Sequence, residues 1–376
     1  RGFDMRATLE RAHLLKPLGR VQRVVERRNT IPILSNVLIR ADGAALTLKA
    51  TDLDIEIVET VEAAVEQPGA VTVPAHILHD IVRKIPEGAR ISLETNPDGA
   101  TLTLAAGRSR FALQMLPEAD FPDITAGTFT HSFQLSAADL RWLIERTQFA
   151  ISTEETRYYL NGIYFHCADT DSGPMLRAVA TDGHRLAQAQ IAAPPGADGM
   201  PGIIVPRKTV GELRNLMDDP EAQLSVEISD TKIRLSVAGA VVTSKLIDGT
   251  FPDYDRVIPK GNNKIMQVDR QDFASAVDRV STVSSERGRA VKLSLADGSL
   301  TLSVINPDSG TATDELVVDF DADPLDIGFN SKYLLDITGQ LSAENATFAL
   351  NDAGSPTLIH DGDAGKTLYV LMPMRV

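Results

Sequence analysis

Few residues in this chain have the types and spacing that chemistry requires. Thr181-Asp182-Gly183-His184-Arg185 sets a carboxylate and an imidazole two positions apart, the pair a hydrolytic triad uses. Neighbours this close in a strand or turn point away from each other, and no Gly-x-Ser-x-Gly elbow supplies a nucleophile. Asp52, Asp54 and Glu56 alternate along an expected strand and so would share one face. Such a row could hold Mg2+ or simply form a solvated acidic face. No Walker-type lysine loop, no Gly-x-Gly-x-x-Gly after a strand and no Cys/His metal spacing occurs. The expectation is therefore a protein without catalytic residues, metal or cofactor. Two other stretches suggest binding instead. Arg157-Tyr158-Tyr159-Leu160-Asn161-Gly162 places two tyrosines beside an arginine just before a strand. The chain ends Val370-Leu371-Met372-Pro373-Met374-Arg375-Val376, an apolar tail whose methionines suit an adaptable surface, core filling being the alternative.

The elements that must position these residues repeat. Phe121-Pro122-Asp123-Ile124 returns as Phe251-Pro252-Asp253-Tyr254, 130 residues downstream, and Thr51-Asp52 returns at the same interval as Thr181-Asp182. Val73-Pro74 and Val205-Pro206 each open a helix. Several landmarks at one spacing indicate a duplicated domain. The first helix carries Leu14, Leu18, Val21 and Val25 on one stripe, with Pro17 expected in its first turn, the place where a missing N–H is harmless. The second is expected to bury Ile77, Leu78, Ile81, Val82 and Ile85, and a long strand to run from Asp52 to Val65. Ser136-x-x-Asp139 and Asp269 read as helix caps. The pattern is α+β, with each domain a β-α-β-β-β unit twice over and approximate limits 5–126, 127–258 and 263–376. Edge strands must be paired or covered. Internal edges can pair between neighbouring domains, and the terminal ones by head-to-tail association of like chains. Arg108-Ser-Arg110-Phe111-Ala-Leu113 fits one such edge, and Asp314 with Glu315 could offer it the opposite charge.

Composition sets outer bounds. The chain has 376 residues, is 43% apolar, and carries a net charge of −14, which by its sum disfavours a nucleic-acid partner. Its distribution is uneven, however. Residues 9–29 hold six Lys/Arg against two acids, 51–66 hold six acids and no base, and 293–331 hold eight acids and no base. Bases on some helices and acids on strands and loops could give a basic inner and an acidic outer surface. No apolar run approaches the roughly 18–20 residues that cross a bilayer. A lone Cys167 fits a reducing, cytoplasmic setting, and residues 1–4 read as an added leader before a natural start at Met5.

Arg-Tyr-Tyr-Leu-Asn-Gly at 157–162, Ala-Thr-Asp-Gly-His-Arg-Leu at 180–186, Ile-Val-Pro-Arg-Lys at 204–208, Phe-Pro-Asp-Tyr at 251–254 and the terminal Met-Pro-Met-Arg together closely resemble the β subunit of bacterial DNA polymerase III, the sliding clamp. The likeness runs essentially from Met5 to Val376. It implies a homodimeric ring of six similar domains, helices inside and sheets outside, which threads duplex DNA without sequence specificity and tethers polymerases. It implies DNA-facing positions at Arg28, His76, Arg83, Tyr158, Tyr159, Arg207 and Lys208. It implies one apolar subsite of Leu160, Thr181, Gly183, His184, Arg185, Leu186, Pro252, Val257, Val370 and Met372, with a neighbour built from Arg157, Tyr159, Arg256, Asn330, Tyr333, Pro373, Met374 and Arg375. A short motif from the polymerase III alpha subunit, the clamp-loader delta subunit, other polymerases or repair proteins would dock there. The ring joint would bring Arg108, Arg110, Phe111 and Leu113 to Thr282 and Val283. Gly354 and Pro356 depart from the family pattern, and Thr282 is more polar than a core contact usually is. Two rival readings stand beside this one: a DNA-binding repeat protein that does not encircle, and a hydrolase using Asp182 and His184.

Overall fold

The computed structural model describes residues 4–286, 289–362 and 365–376. The expected leader, apart from Asp4, lies outside them. Six helices follow one another as α1 (Arg11–Gln22), α2 (Ala75–Lys84), α3 (Ala137–Thr147), α4 (Arg207–Leu216), α5 (Arg270–Ser281) and α6 (Ser331–Thr338). Each is preceded by one strand and followed by three, so the β-α-β-β-β unit occurs six times, with Ala64–Gln67 as an added strand in the first domain. Local chemistry fixes the helix starts. Ser136 Oγ accepts from the Asp139 N–H at 3.1 Å, and the Asp269 side chain accepts from the Asp272 N–H at 2.8 Å, each satisfying a donor the helix leaves unpaired.

The strands distribute the chain over two compact units, Arg1–Leu140 with Pro194–Pro201 and Lys208–Leu246, and Arg141–Ala193 with Gly202–Arg207 and Ile247–Val376. This partition cuts through the central repeat because pairing crosses repeat boundaries. In the first unit Ala240–Lys245 pairs with Ile55–Glu62 in the middle of an eight-stranded antiparallel sheet. In the second unit Arg185–Ala192 pairs with Thr367–Leu371 in another eight-stranded sheet. Internal edges are thus joined, as expected. The first unit also has a five-stranded sheet ending at Ser109–Gln114, and the second a four-stranded sheet ending at Gly310–Val317.

Helices cover these sheets with narrow apolar stripes. Leu14, Leu18 and Val21 of α1 are buried, as are Ala75, Leu78 and Val82 of α2 and Phe273, Ala276, Val277 and Val280 of α5. Three local expectations fail. Pro17 is the seventh residue of α1, not in its first turn, so the His13 carbonyl loses its intrahelical donor. Val25 lies past the end of α1, though it is still buried. Ile77 is 52% exposed, because at 3.6 residues per turn it falls opposite the Ala75–Leu78–Val82 stripe. The long strand is also interrupted: Ala45–Thr51 and Ile55–Glu62 are separate, with a turn at 52–54.

Candidate functional site

That turn and its repeat have the same hydrogen bonds. Thr51 Oγ1 donates to the Ile55 carbonyl at 2.8 Å, and Asp52 Oδ1 accepts from the N–H groups of Asp54 and Ile55 at 2.9 Å each. Thr181 Oγ1 donates to the Arg185 carbonyl at 2.7 Å, and Asp182 Oδ1 accepts from His184 and Arg185 at 2.9 and 3.1 Å. An aspartate that caps its own turn in this way is spent structurally. Asp52 and Asp54 therefore do not share a strand face with Glu56, and the carboxylate row considered for Mg2+ does not form. No group of three metal-ligating side chains exists among the described residues. The hydrolytic pair fails for the same reason. Asp182 gives its second oxygen to Arg185 Nε at 3.2 Å, while the His184 ring lies against Tyr333 with centroids 6.4 Å apart.

The third position of each turn has positive φ, +81° at Leu53 and +89° at Gly183. In the second copy a Cβ would lie 2.6 Å from Arg157 Nη1, so Arg157 would have to shift to admit one. Arg157 arrives on the 3-10 segment Glu155–Leu160, donates to the Asp182 carbonyl at 3.2 Å and pairs with Glu154 at 2.9 Å. Beside it opens an apolar cavity of ≈ 210 Å³ lined by Arg157, Tyr159, Leu160, Thr181, Gly183, His184, Arg185, Leu186, Pro252, Asp253, Tyr254, Val257, Val370 and Met372. Leu160, Leu186, Val370 and Tyr254 belong to a buried cluster with Val179, Ile204 and Phe251, so the wall is part of the core. Val257 and Met372 are exposed at the mouth. The whole expected apolar subsite is brought together.

Of the expected neighbouring subsite, Arg157 and Tyr159 line the first cavity. Tyr333 lines a polar cavity of ≈ 510 Å³ with His184, Arg185, Phe149 and Arg207. Asn330 spends its Oδ1 capping α6, accepting from Lys332 and Tyr333 at 2.9 and 3.2 Å. The Met374 N–H donates to the Gly328 carbonyl at 2.7 Å, Arg256 is an exposed partner of Asp253, Pro373 is partly buried and Arg375 is exposed. Asp253 and Tyr254 were missed as lining residues, although the Phe-Pro-Asp-Tyr repeat contains both. Arg185 is the hub of this region. Its buried guanidinium pairs with Asp182 at 3.2 Å and Asp336 at 2.7 Å, donates to the Phe149 carbonyl at 2.8 Å, and lies 4.2 Å from the Tyr333 ring centre.

The corresponding joint in the first unit carries a buried carboxylate in place of an apolar side chain. Leu186 faces Val370 across its strand pair, and Glu56 faces Thr243 across the equivalent pair. Glu56 is 1% exposed, accepts from the Ile124 N–H at 3.2 Å and pairs with Lys49 at 3.0 Å. Burial pushes its carboxyl above the usual range, against the opposing pull of Lys49. The first Phe-Pro-Asp segment is thus fastened by a carboxylate at the place where the second stands beside an apolar cavity.

The expected DNA-facing residues divide. Arg28, Arg83, Tyr158 and Arg207 are exposed, although Arg207 donates to the Ser152 carbonyl at 2.8 Å and Arg83 pairs with Asp80 at 3.3 Å. Both ring nitrogens of His76 are engaged with α1 and the residues after it, at 2.6 Å to Gln22 Oε1 and 3.0 Å to the Val25 carbonyl. Lys208 is held by Glu26, by Asp52 at 2.6 Å and by the Val24 carbonyl at 2.9 Å. Burial opposes the Lys208 charge, but Asp52 and Glu26 outweigh it and raise its pKa. At the expected joint, Phe111 is 36% exposed on its edge strand while Leu113 is 7% exposed and faces inward. Arg108 and Arg110 are exposed, Asp314 pairs with Arg279 of its own chain at 2.8 Å, Thr282 is exposed at the end of α5, and the Val283 carbonyl accepts from Asn306 at 2.8 Å.

Fold and site together define a repeat-built scaffold with an apolar cavity and no assembled catalytic group among the described residues. Family profiles then match in series: DNA polymerase III beta subunit, N-terminal domain over residues 5–125, central domain over 134–253 and C-terminal domain over 255–375. The beta sliding clamp of Caulobacter vibrioides (strain NA1000 / CB15N) is 51% identical over 372 residues, 99% of this chain and 100% of the relative. That of Escherichia coli (strain K12) is 40% identical over 376 residues, with the same coverage. A crystal structure of a sliding clamp (DNA polymerase III subunit beta) from Bartonella birtlesii bound to griselimycin superposes with a TM-score of 0.96 at 56% identity, covering 99% of this chain and 100% of that one. A Caulobacter crescentus pol III beta structure gives 0.94 at 51%, again with 99% and 100% covered. The chain belongs to the DNA polymerase III beta subunit family, the beta sliding clamps. These are non-catalytic processivity factors of DNA replication, which leaves the Asp182/His184 hydrolase reading without support.

Proposed function

We propose that two copies of this chain close head to tail around duplex DNA and tether proteins that carry a short docking motif. One observation carries the ring. Each joint pairs the last strand of a domain's first half with the last strand of the next domain's second half: Ile55–Glu62 with Ala240–Lys245, then Arg185–Ala192 with Thr367–Leu371. The same rule leaves Gly310–Val317 of one copy to pair with Ser109–Gln114 of another. The rule is cyclic, and a closed association uses every such edge. Phe111 would seat against the Thr282–Val283 turn, with Arg108 and Arg110 near third-domain acids.

Exposed Arg28, Arg83 and Arg207 would meet phosphates without reading bases. His76 and Lys208 are already engaged, and Glu26, Asp52, Glu154 and Glu155 stand nearby in sequence or space, so retention rests on topology more than on charge. Ordinary counterion-driven binding loses about 10³–10⁵-fold in affinity between about 50 and 200 mM salt. Loaded protein should instead stay on closed circles at high salt and leave when the circle is cut. Equal loss from circular and linear DNA would sink the encircling reading and favour the open repeat protein.

The apolar cavity would take a peptide with leucine and phenylalanine anchors from the polymerase III alpha subunit, the clamp-loader delta subunit, other polymerases or repair proteins. Each anchor contributes about 1.5–3 kcal/mol by burial, which suits weak, exchangeable binding. Removing Met372–Val376 deletes the bond from the Met372 N–H to the His184 carbonyl, 2.9 Å, and one wall of the cavity. That truncation should lose the peptide while remaining dimeric; full peptide affinity would refute the assignment. The setting we propose is the cytoplasm.

A further inference from the structure

Behind the cavity lies a polar layer that docking does not itself use. His166, Arg177 and Gln190 stand in one row across three adjacent strands, as register partners. The first two converge on one hydroxyl. His166 Nε2 is 2.7 Å from Tyr254 Oη, and Arg177 Nη1 donates to the same oxygen at 3.0 Å. Arg177 Nε donates to Gln190 Oε1 at 2.9 Å, and Gln190 in turn donates to the Gly365 carbonyl. Phe251 stacks on Tyr164 with centroids 4.7 Å apart and planes at 12°, and Tyr164 stacks on His166 at 4.8 Å and 21°. Both aromatic residues of the 251–254 segment are therefore fastened to one patch, and Pro252, Asp253 and Tyr254, which line the cavity, are the residues that patch fixes. The first copy of the segment has no such hydroxyl, since Ile124 replaces Tyr254 and its backbone is held by Glu56.

We infer that His166 and Arg177 are positioning residues for the docking cavity, acting through the Tyr254 hydroxyl to hold that wall in its binding shape before a peptide arrives. Neither lines the cavity. The inference rests on the peptide-docking reading. A wall already fixed need not be ordered on binding, which is where a preorganised site gains affinity. A buried hydrogen bond is worth about 1 kcal/mol net, so freeing this wall should weaken binding about 5- to 10-fold.

The test uses the full chain and a fluorescein-labelled peptide with leucine and phenylalanine anchors, read by anisotropy beside thermal denaturation. Tyr254→Phe keeps the ring and removes the tether. Tyr369→Phe removes a similar hydroxyl bond, 3.0 Å to the Arg146 carbonyl, from a residue that does not line the cavity. The expected result is weaker binding in Tyr254→Phe, unchanged binding in Tyr369→Phe, and no further loss when His166→Ala is added to Tyr254→Phe. Wild-type affinity in Tyr254→Phe, or a lowered Tm without lowered affinity, overturns the positioning role and leaves docking intact. No binding by the wild-type chain overturns both. Should Tyr254→Phe fold poorly, Arg177→Gln, whose shorter side chain falls short of the hydroxyl, gives the same contrast.

Discussion

At Gly183 an added side chain would meet an arginine of the cavity wall. The turn is duplicated, and its first copy carries Leu53 at almost the same φ. Gly183→Ala should cost about 1–2 kcal/mol, the usual penalty for a side chain in left-handed backbone, and should also displace Arg157. Denaturant titration would show the first effect and weaker peptide binding the second; unchanged affinity would mean Arg157 is not part of the docking surface. Arg185 carries a larger burden. Its buried charge is matched by Asp182 and Asp336, so Arg185→Ala strands two acids and should destabilise the second unit by about 3–5 kcal/mol. Arg185→Lys would keep the charge but lose the planar contact with Tyr333, and should fall between wild type and alanine. His166 gives a pH signature. Burial, and after it Arg177, holds its pKa below the ordinary 6.5. Between that value and its folded pKa the unfolded chain binds more protons, so stability present above pH 6.5 is lost as pH falls. Melting temperature followed from pH 7 to 5 should decline less steeply in His166→Gln.

At the scale of elements, much was legible because hydrophobic period and punctuation carry it. Six β-α-β-β-β units, the caps at Ser136 and Asp269, and the pairing of internal edges follow from alternation, capping residues and the interval of the repeat. The misreadings share a physical origin: local pattern was taken for local structure where another group intervened. Asp52 and Asp54 alternate with apolar residues as in a strand, but the Asp52 carboxylate captures backbone N–H groups and makes a turn. Pro17 sits inside α1 because burial of Leu14, Leu18 and Val21 outweighs one missing bond. Ile77 has the chemistry of a core residue, yet the stripe of α2 is narrow. The approach of Arg157 and Tyr159 to the apolar cavity was not legible either, since it depends on where the 3-10 segment delivers them, and no periodicity encodes that. Tyr254 could have been found by comparing the repeats: its one change from Ile124 supplies a hydroxyl, and the structure surrounds that hydroxyl with partners.

For the whole molecule, the rule that pairs strands across joints makes the terminal edges the place to test assembly. Phe111→Glu together with Arg110→Glu should give a folded monomer by sedimentation, with circular dichroism unchanged, because both side chains are exposed on the terminal edge strand. A dimer that survives this change would relocate the joint.

The two joints differ at one equivalent strand position, Glu56 in the first and Leu186 in the second. Duplication of the domain thus brought a buried carboxylate to one joint and an apolar side chain to the other. Had both positions stayed alike, the two joints would share one chemistry; a single residue type now sets them apart.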